Sequence, residues 1–272
     1  MDTLFADVSY FQRVVDDTYP YKVLSIRSND GMFRDPAFSE NYQWCVRAVN
    51  EGRLEFFIVY AYWRPNWQQT TMTLIEMVEQ EGGPHPGMVA MIDVESGGNP
   101  DGNQSDGINH MFWTLAEWLG SKLRVIGYAN YADFRTMWPV RPDGLRIIGA
   151  GYGRNPNLDG QIAHQYTDGQ GYGHGLPEGA PPFGNCDMNS AHGLTPREFA
   201  EQCGISSEWI NTVAMVTSLV DPTVTMTPEE ALGFIDYHAN KTYNEHGALL
   251  KEIADSLKRL VAIAEQQTSK GK

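Results

Sequence analysis

The segment Met88-Val89-Ala90-Met91-Ile92-Asp93-Val94-Glu95-Ser96-Gly97-Gly98 is an apolar run that ends in two carboxylates and then turns at glycine. Side chains alternate along a strand, so Val89, Met91, Asp93 and Glu95 share one face. Two carboxylates on one inward face are costly unless they are used. Their repulsion pushes one of them toward the protonated form that a general acid needs. Two further short strands carry an acid near one end: Leu4-Phe5-Ala6-Asp7-Val8-Ser9 and Asn185-Cys186-Asp187-Met188-Asn189. Acids converging from three strands on one mouth suit glycoside hydrolysis. There one acid protonates the leaving oxygen, while others stabilise an oxocarbenium-like centre or orient a nucleophile. Tyr60, Tyr62, Trp63, Tyr128, Tyr131, Tyr152 and Tyr166 also fall near strand ends. Their flat faces match the C–H faces of pyranose rings and their hydroxyls match sugar hydroxyls, with core packing as the competing role.

These residues need a scaffold that brings distant strand ends together. Candidate strands lie at 4–9, 22–27, 55–62, 88–95, 124–130, 146–152 and 161–167, with an eighth at 185–189. Runs such as Phe56-Phe57-Ile58-Val59-Tyr60 are apolar on both faces, as in parallel sheets. Helical patterns fall between them at 36–50, 69–80, 107–119 and 132–137. The expected fold is α/β, an irregular (β/α) barrel with parallel strands, whose active site sits at the C-terminal mouth. An open doubly wound sheet is the alternative, but no Gly-rich phosphate loop follows any strand. Residues 169–184 are rich in Gly and Pro and read as a long loop beside the site. Composition shifts after Cys203, so residues 1–204 are expected to form the catalytic barrel and 205–272 a small α-helical C-terminal region. In that region Thr227-Pro228-Glu229-Glu230 is a helix start. Leu250, Ile253, Leu257, Leu260 and Ala264 form an apolar stripe suited to self-association, wall anchoring or packing.

The 272 residues carry a net charge of −14, which disfavours nucleic acid as a partner. No apolar run reaches the roughly 18 residues of a membrane span, so no membrane insertion is expected. The N-terminal residues lack a basic start and an apolar stretch, so synthesis in a cytoplasm without a signal peptide is expected. Cys45, Cys186 and Cys203 are widely spaced, which argues against both a disulfide framework and zinc-ligand spacing. His85, His110, His164, His174 and His192 form no compact metal motif. There is no Gly-x-Ser-x-Gly elbow for a serine nucleophile, and Cys186 reads as a small buried thiol. Neither a metal nor a cofactor is expected.

The acidic motifs occur in an order that resembles glycoside hydrolase family 25, the lysozymes often found as phage endolysins. Asp7-Val8-Ser9 followed by Gln12 resembles the family's opening motif, Ile92-Asp93-Val94-Glu95 its Asp-x-Glu motif, and Gln165-Tyr166-Thr167-Asp168-Gly169 with Asp187 its closing segment. Weaker echoes are residues 33–38, Tyr60-Ala61-Tyr62 and Ile126-Gly127-Tyr128, so the likeness covers roughly residues 1 to 200. The resemblance implies a muramidase that cuts the β-1,4 bond between N-acylmuramic acid and N-acetylglucosamine in peptidoglycan. Glu95 would then be the general acid. Asp93 would orient or stabilise the reacting sugar, and Asp7 and Asp187 would complete the cleft. Tyr60, Tyr62, Tyr128, Tyr152, Gln165 and Tyr166 would contact the glycan. It also implies release to the wall through a separate pore. His164 stands where a tryptophan commonly precedes Gln-Tyr, and residues 27–31 match the family's second strand end loosely. Another hydrolase of N-acetylated sugars, a glucosaminidase or chitinase, and a non-catalytic wall-binding module are the rival readings.

Overall fold

The computed structural model describes residues 2–206. The β-branched and aromatic runs pair as strands β1 (Leu4–Val8), β2 (Val23–Asp30), a two-residue β3 (Phe33–Arg34), β4 (Phe56–Tyr62), β5 (Met88–Asp93), β6 (Val125–Asn130), β7 (Ile147–Ala150) and β8 (Gln161–Thr167). A small hairpin of β9 (Gly179–Ala180) and β10 (Gly184–Asn185) precedes β11 (Asp187–Ser190). The sheet order β1-β11-β8-β7-β6-β5-β4-β2, with an added β1–β2 pairing, closes eight strands into a barrel. Barrel neighbours from β1 through β8 run parallel, and β3 lies outside the barrel, antiparallel to β2.

The closing strand departs from the expected parallel arrangement, for β11 is antiparallel to both β1 and β8. Its reason is the connection. Parallel neighbours need a crossover, whereas β8 and β11 are joined by a loop that contains only the β9–β10 hairpin and returns at the same end of the barrel. Glu178 holds that loop together by accepting hydrogen bonds from the Thr167 hydroxyl and from the backbone N–H groups of Gly171 and Gly173.

Helices α1 (Phe38–Asn50), α2 (Trp67–Gln80) and α3 (Ser105–Trp118) fill three crossovers, and a short α4 (Tyr131–Thr136) a fourth. Each agrees with its expected helix to within two residues at either end. The β1–β2 and β7–β8 connections carry no α-helix. Around β1 and β2 the missing layer is replaced by Tyr19, whose hydroxyl donates to Val23 O (2.6 Å) and accepts from Ala6 N–H, and whose ring meets Phe183 and Trp44.

Alternation divides the apolar residues into two cores. Ala6, Leu24, Phe57, Val59, Ala90, Ile92 and Ala129 face outward, with α1–α3 packed against that layer. Phe5, Val23, Phe56, Ile58, Val89, Met91, Ile126 and Ile148 fill the interior. The interior is stoppered by α5 (Pro196–Gln202), whose Phe199 ring lies 5.5 Å from Phe5 and 5.2 Å from Phe56. Thr195 caps this helix in a reciprocal capping box with Glu198, and Pro196 occupies its first turn. Ile205 is 2% exposed and belongs to the same inner core. The expected helix start at Thr227 and the Leu250–Ala264 stripe lie outside the described residues.

Candidate active site

Asp7 lies near the C-terminal end of β1, with Ser25 as its register partner on β2. Asp93 ends β5, paired with Tyr62 of β4 and Tyr128 of β6. Glu95 follows two residues later and keeps the inward parity, because Val94 N–H still bonds Tyr128 O at 2.9 Å. Asp187 begins β11 rather than ending it. Because that strand runs backward, its first residue is the one at the mouth, directly opposite Asp7. The four expected acids are thus brought to one end of the barrel. Like charges facing each other across an antiparallel pair are destabilising, and here both belong to a cleft.

Burial sets their protonation. Asp7 is raised well above the usual carboxylate range by desolvation and then by the charge of Asp187, with Tyr60 hydrogen bonding acting the other way. Asp93 is likewise raised well above it by desolvation and by Glu95 and Asp7, while Arg27 favours its charged form. Glu95 is raised by burial and then by the charge of Asp133. Asp187 is pushed up to about 7 by burial, then by Asp168 and Glu95. Asp93 Oδ1 is buried with no hydrogen-bond partner, and so is free to accept one.

Five of the six expected substrate contacts join the acids. Tyr60 lies beneath them, 9% exposed. The Tyr128 hydroxyl donates to Gln165 Oε1 at 2.7 Å and stands 3.5 Å from Glu95 Oε1. The Tyr152 hydroxyl reaches the same Gln165 oxygen at 3.2 Å, and the Tyr152 ring stacks on Tyr172 at 5.6 Å. Tyr62 donates to Gly97 O at 2.8 Å, bracing the turn after Glu95. Tyr166 is the correction. Next to the inward Gln165, it takes the opposite face of β8, packs in the outer core and donates to Pro177 O at 2.7 Å. His164 shares that outer parity, bonding Gly151 O and stacking on His192, and so does not wall the cleft.

The sequence reading passed over Arg27, Asp35 and Asp133. Arg27 is an inward residue of β2, paired with buried Asp35 at 2.9 Å. Its guanidinium lies 5.1 Å from the Tyr10 ring and 5.6 Å from Phe11. Tyr10, Phe11 and Phe33 form an exposed aromatic group beside it, Phe11 at 73%. The signal was available: three exposed aromatics, two in the turn after β1 and one at the start of the two-residue β3. A separate cavity of about 320 Å³ opens between Trp63, Trp67, Gln104, Asp106 and His110, away from the converging acids. Among the described residues no group of three or more His, Cys, Asp and Glu is arranged to hold a metal ion.

No family model matches the chain. It is 59% identical over 206 residues to the uncharacterized protein Rv3766 of Mycobacterium tuberculosis, covering 76% of this chain and 75% of that protein. Among solved structures it is similar to a family 25 glycosyl hydrolase from Bacillus anthracis, with TM-score 0.57 and 19% identity over 73% of this chain and 92% of that one. It is also similar to the catalytic domain of endolysin ply40 from bacteriophage P40 of Listeria monocytogenes, with TM-score 0.54 and 18% identity over 75% and 98%. A third is GHIP, a glycosyl hydrolase 25 of Streptococcus pneumoniae, with TM-score 0.52 and 16% identity over 74% and 90%.

Proposed function

From a chain that belongs to the family of Rv3766 and has the fold of the family 25 glycosyl hydrolases, we infer a peptidoglycan hydrolase, a lysozyme that cuts between N-acylmuramic acid and N-acetylglucosamine. The observation that carries this reading is the convergence of Asp7, Asp93, Glu95 and Asp187 on one mouth, with burial favouring their protonated forms.

Burial and the charge of Asp133 hold the Glu95 proton more tightly than in an ordinary glutamate, and Glu95 donates it to the glycosidic oxygen as the bond breaks. Asp93 Oδ1 accepts the N–H of the sugar's N-acyl group, which orients that group at the anomeric carbon. As positive charge grows on the ring, whichever of the remaining carboxyls is ionised stabilises it, and the low-dielectric wall strengthens that attraction; water then adds at the anomeric carbon and gives up its proton to one of these carboxylates. The glycan runs across the acids between two aromatic surfaces, Tyr10, Phe11 and Phe33 on one side and Tyr152 with Tyr172 on the other. Aromatic faces of this kind hold pyranose rings.

Digestion of purified peptidoglycan followed by reducing-end analysis tests the reading. New muramic acid ends are expected. New glucosamine ends would make the protein a glucosaminidase, and binding without new ends would make it a wall-binding module. The finer role is lysis of a host wall after release through a separate pore. Among the described residues no helix is long and apolar enough to cross a membrane. Expression in bacteria with and without a co-expressed pore tests that role, and lysis only with the pore is expected.

A further inference from the structure

Behind Glu95 stands a buried acid that the chemistry above leaves unused. Asp133 is 4% exposed in the first turn of α4, and among the described residues no Lys or Arg pairs with it. An acid buried without a cation is expensive and calls for a reason. Its surroundings are specific. Asp133 Oδ2 accepts the Ser96 N–H at 2.9 Å, one residue beyond Glu95, and Asn130 Nδ2 at 2.6 Å. Asn130, the N-cap of α4, in turn accepts the Asp133 N–H at 2.9 Å. A helix cap alone needs only that last bond. The bond to Ser96 ties α4 to the turn after β5, the same turn that Asn99 holds by donating to Glu95 O at 2.7 Å.

We propose that Asp133 is a positioning residue for Glu95: it pins the turn that carries this side chain and places a like charge beside it. The inference rests on the hydrolase reading for its consequence, though not for its geometry. Glu95 is faced by Asp93 from β5, Asp7 from β1, Asp187 from β11, Tyr62 from β4, Tyr128 from β6 and Tyr152 after β7. The three aspartates are themselves raised by burial. Asp133 differs from them in being held by two hydrogen-bond donors at one oxygen. Its charge resists the ionisation of Glu95. One group therefore both anchors the turn and adds to the effect of burial in opposing the acid's ionisation.

Asp133→Asn keeps an oxygen for Ser96 and removes the charge, whereas Asp133→Ala removes both. In full-length protein labelled with ¹³C at glutamate side chains, the Glu95 carboxyl titration should move down by about 0.5–1 pH unit in Asp133→Asn. The alkaline limb of its wall-lysis profile should move down by the same amount. Asp133→Ala should in addition lower kcat about tenfold or more at its own optimum with little change in KM, because the acid is misplaced. An unmoved Glu95 titration in Asp133→Asn overturns the proposal, as does a fall in Tm with titration and profile both in place. A shifted titration in a protein that lyses no wall upholds the pairing and overturns the hydrolase reading instead.

Discussion

The floor and the mouth of the barrel are built from the same strands and differ within one or two pleats. On β1 the inward row reads Phe5 then Asp7; on β5, Val89, Met91, Asp93; on β4, Phe56, Ile58, Tyr60; on β6, Ile126, Tyr128. Below, Phe199 closes the row with aromatic contact. Above, the row turns to carboxylates and hydroxyls. The division of labour is therefore by height along the strand, not by strand. The lower half gains free energy from apolar burial. The upper half gives some back, by holding acids where their ionisation is opposed.

If height separates the two roles, substitutions at the two ends should act on different observables. The largest expected effect is at the floor. Phe199→Ala should lower unfolding stability by about 3–5 kcal/mol in denaturant titration, as loss of a buried ring does, while lysis per folded molecule persists. A parallel collapse of specific activity would break the separation. Next comes Glu95→Gln, which keeps shape and removes the transferable proton. Wall lysis should fall at least about a hundredfold, within the usual range for a lost general acid, with Tm held or raised. Near-normal lysis would remove Glu95 from the acid's role.

Asp187 sharpens the comparison from the stability side. Its folded carboxyl is pushed up to about 7 from an ordinary value of 3.8. A raised folded pKa adds stability that is fully present below the unfolded value and is lost as pH climbs through the folded one. Asp187→Asn is immune to that loss. Its stability relative to the parent should therefore grow by about 3–4 kcal/mol between pH 4 and pH 8, while lysis falls. Equal Tm differences at both pH values would show that the mouth does not oppose ionisation. The smallest effect is expected from Tyr128→Phe. Its hydroxyl favours the charged form of Glu95. The alkaline limb of the lysis profile should rise by a few tenths of a pH unit, on the scale of one long hydrogen bond.

Much of this was legible because alternation is a strict rule. The Asp93–Glu95 parity follows from period two, and the structure keeps it. The helices at 38–50, 67–80 and 105–118 follow from apolar spacing against flanking polar residues. Tyr166 shows where aromatic proximity misleads. It adjoins Gln165, but one residue along a strand is the opposite face. The capping box at Thr195-Pro196-Arg197-Glu198 has the same signature as the one read at Thr227, and it marks the helix that stoppers the barrel. The reversed direction of β11 was hidden, since Asp187-Met188-Asn189-Ser190 has no pattern that encodes direction. Arg27 and Asp133 escaped because each acts through a partner far along the chain, Arg27 through the carboxylate of Asp93 and Asp133 through Ser96 N–H.

The pairing of β1 with β11 has a consequence in time. Asp7 is made before its register partner Asp187, which is 180 positions further on. Until β11 is added, β1 has an unpaired edge and the mouth lacks one of its acids. Contacts of such sequence separation form slowly, after the local ones. A chain cut short before residue 187 lacks one acid of the mouth and also Phe199, which closes the floor. The full set of mouth acids therefore comes together only as the barrel closes.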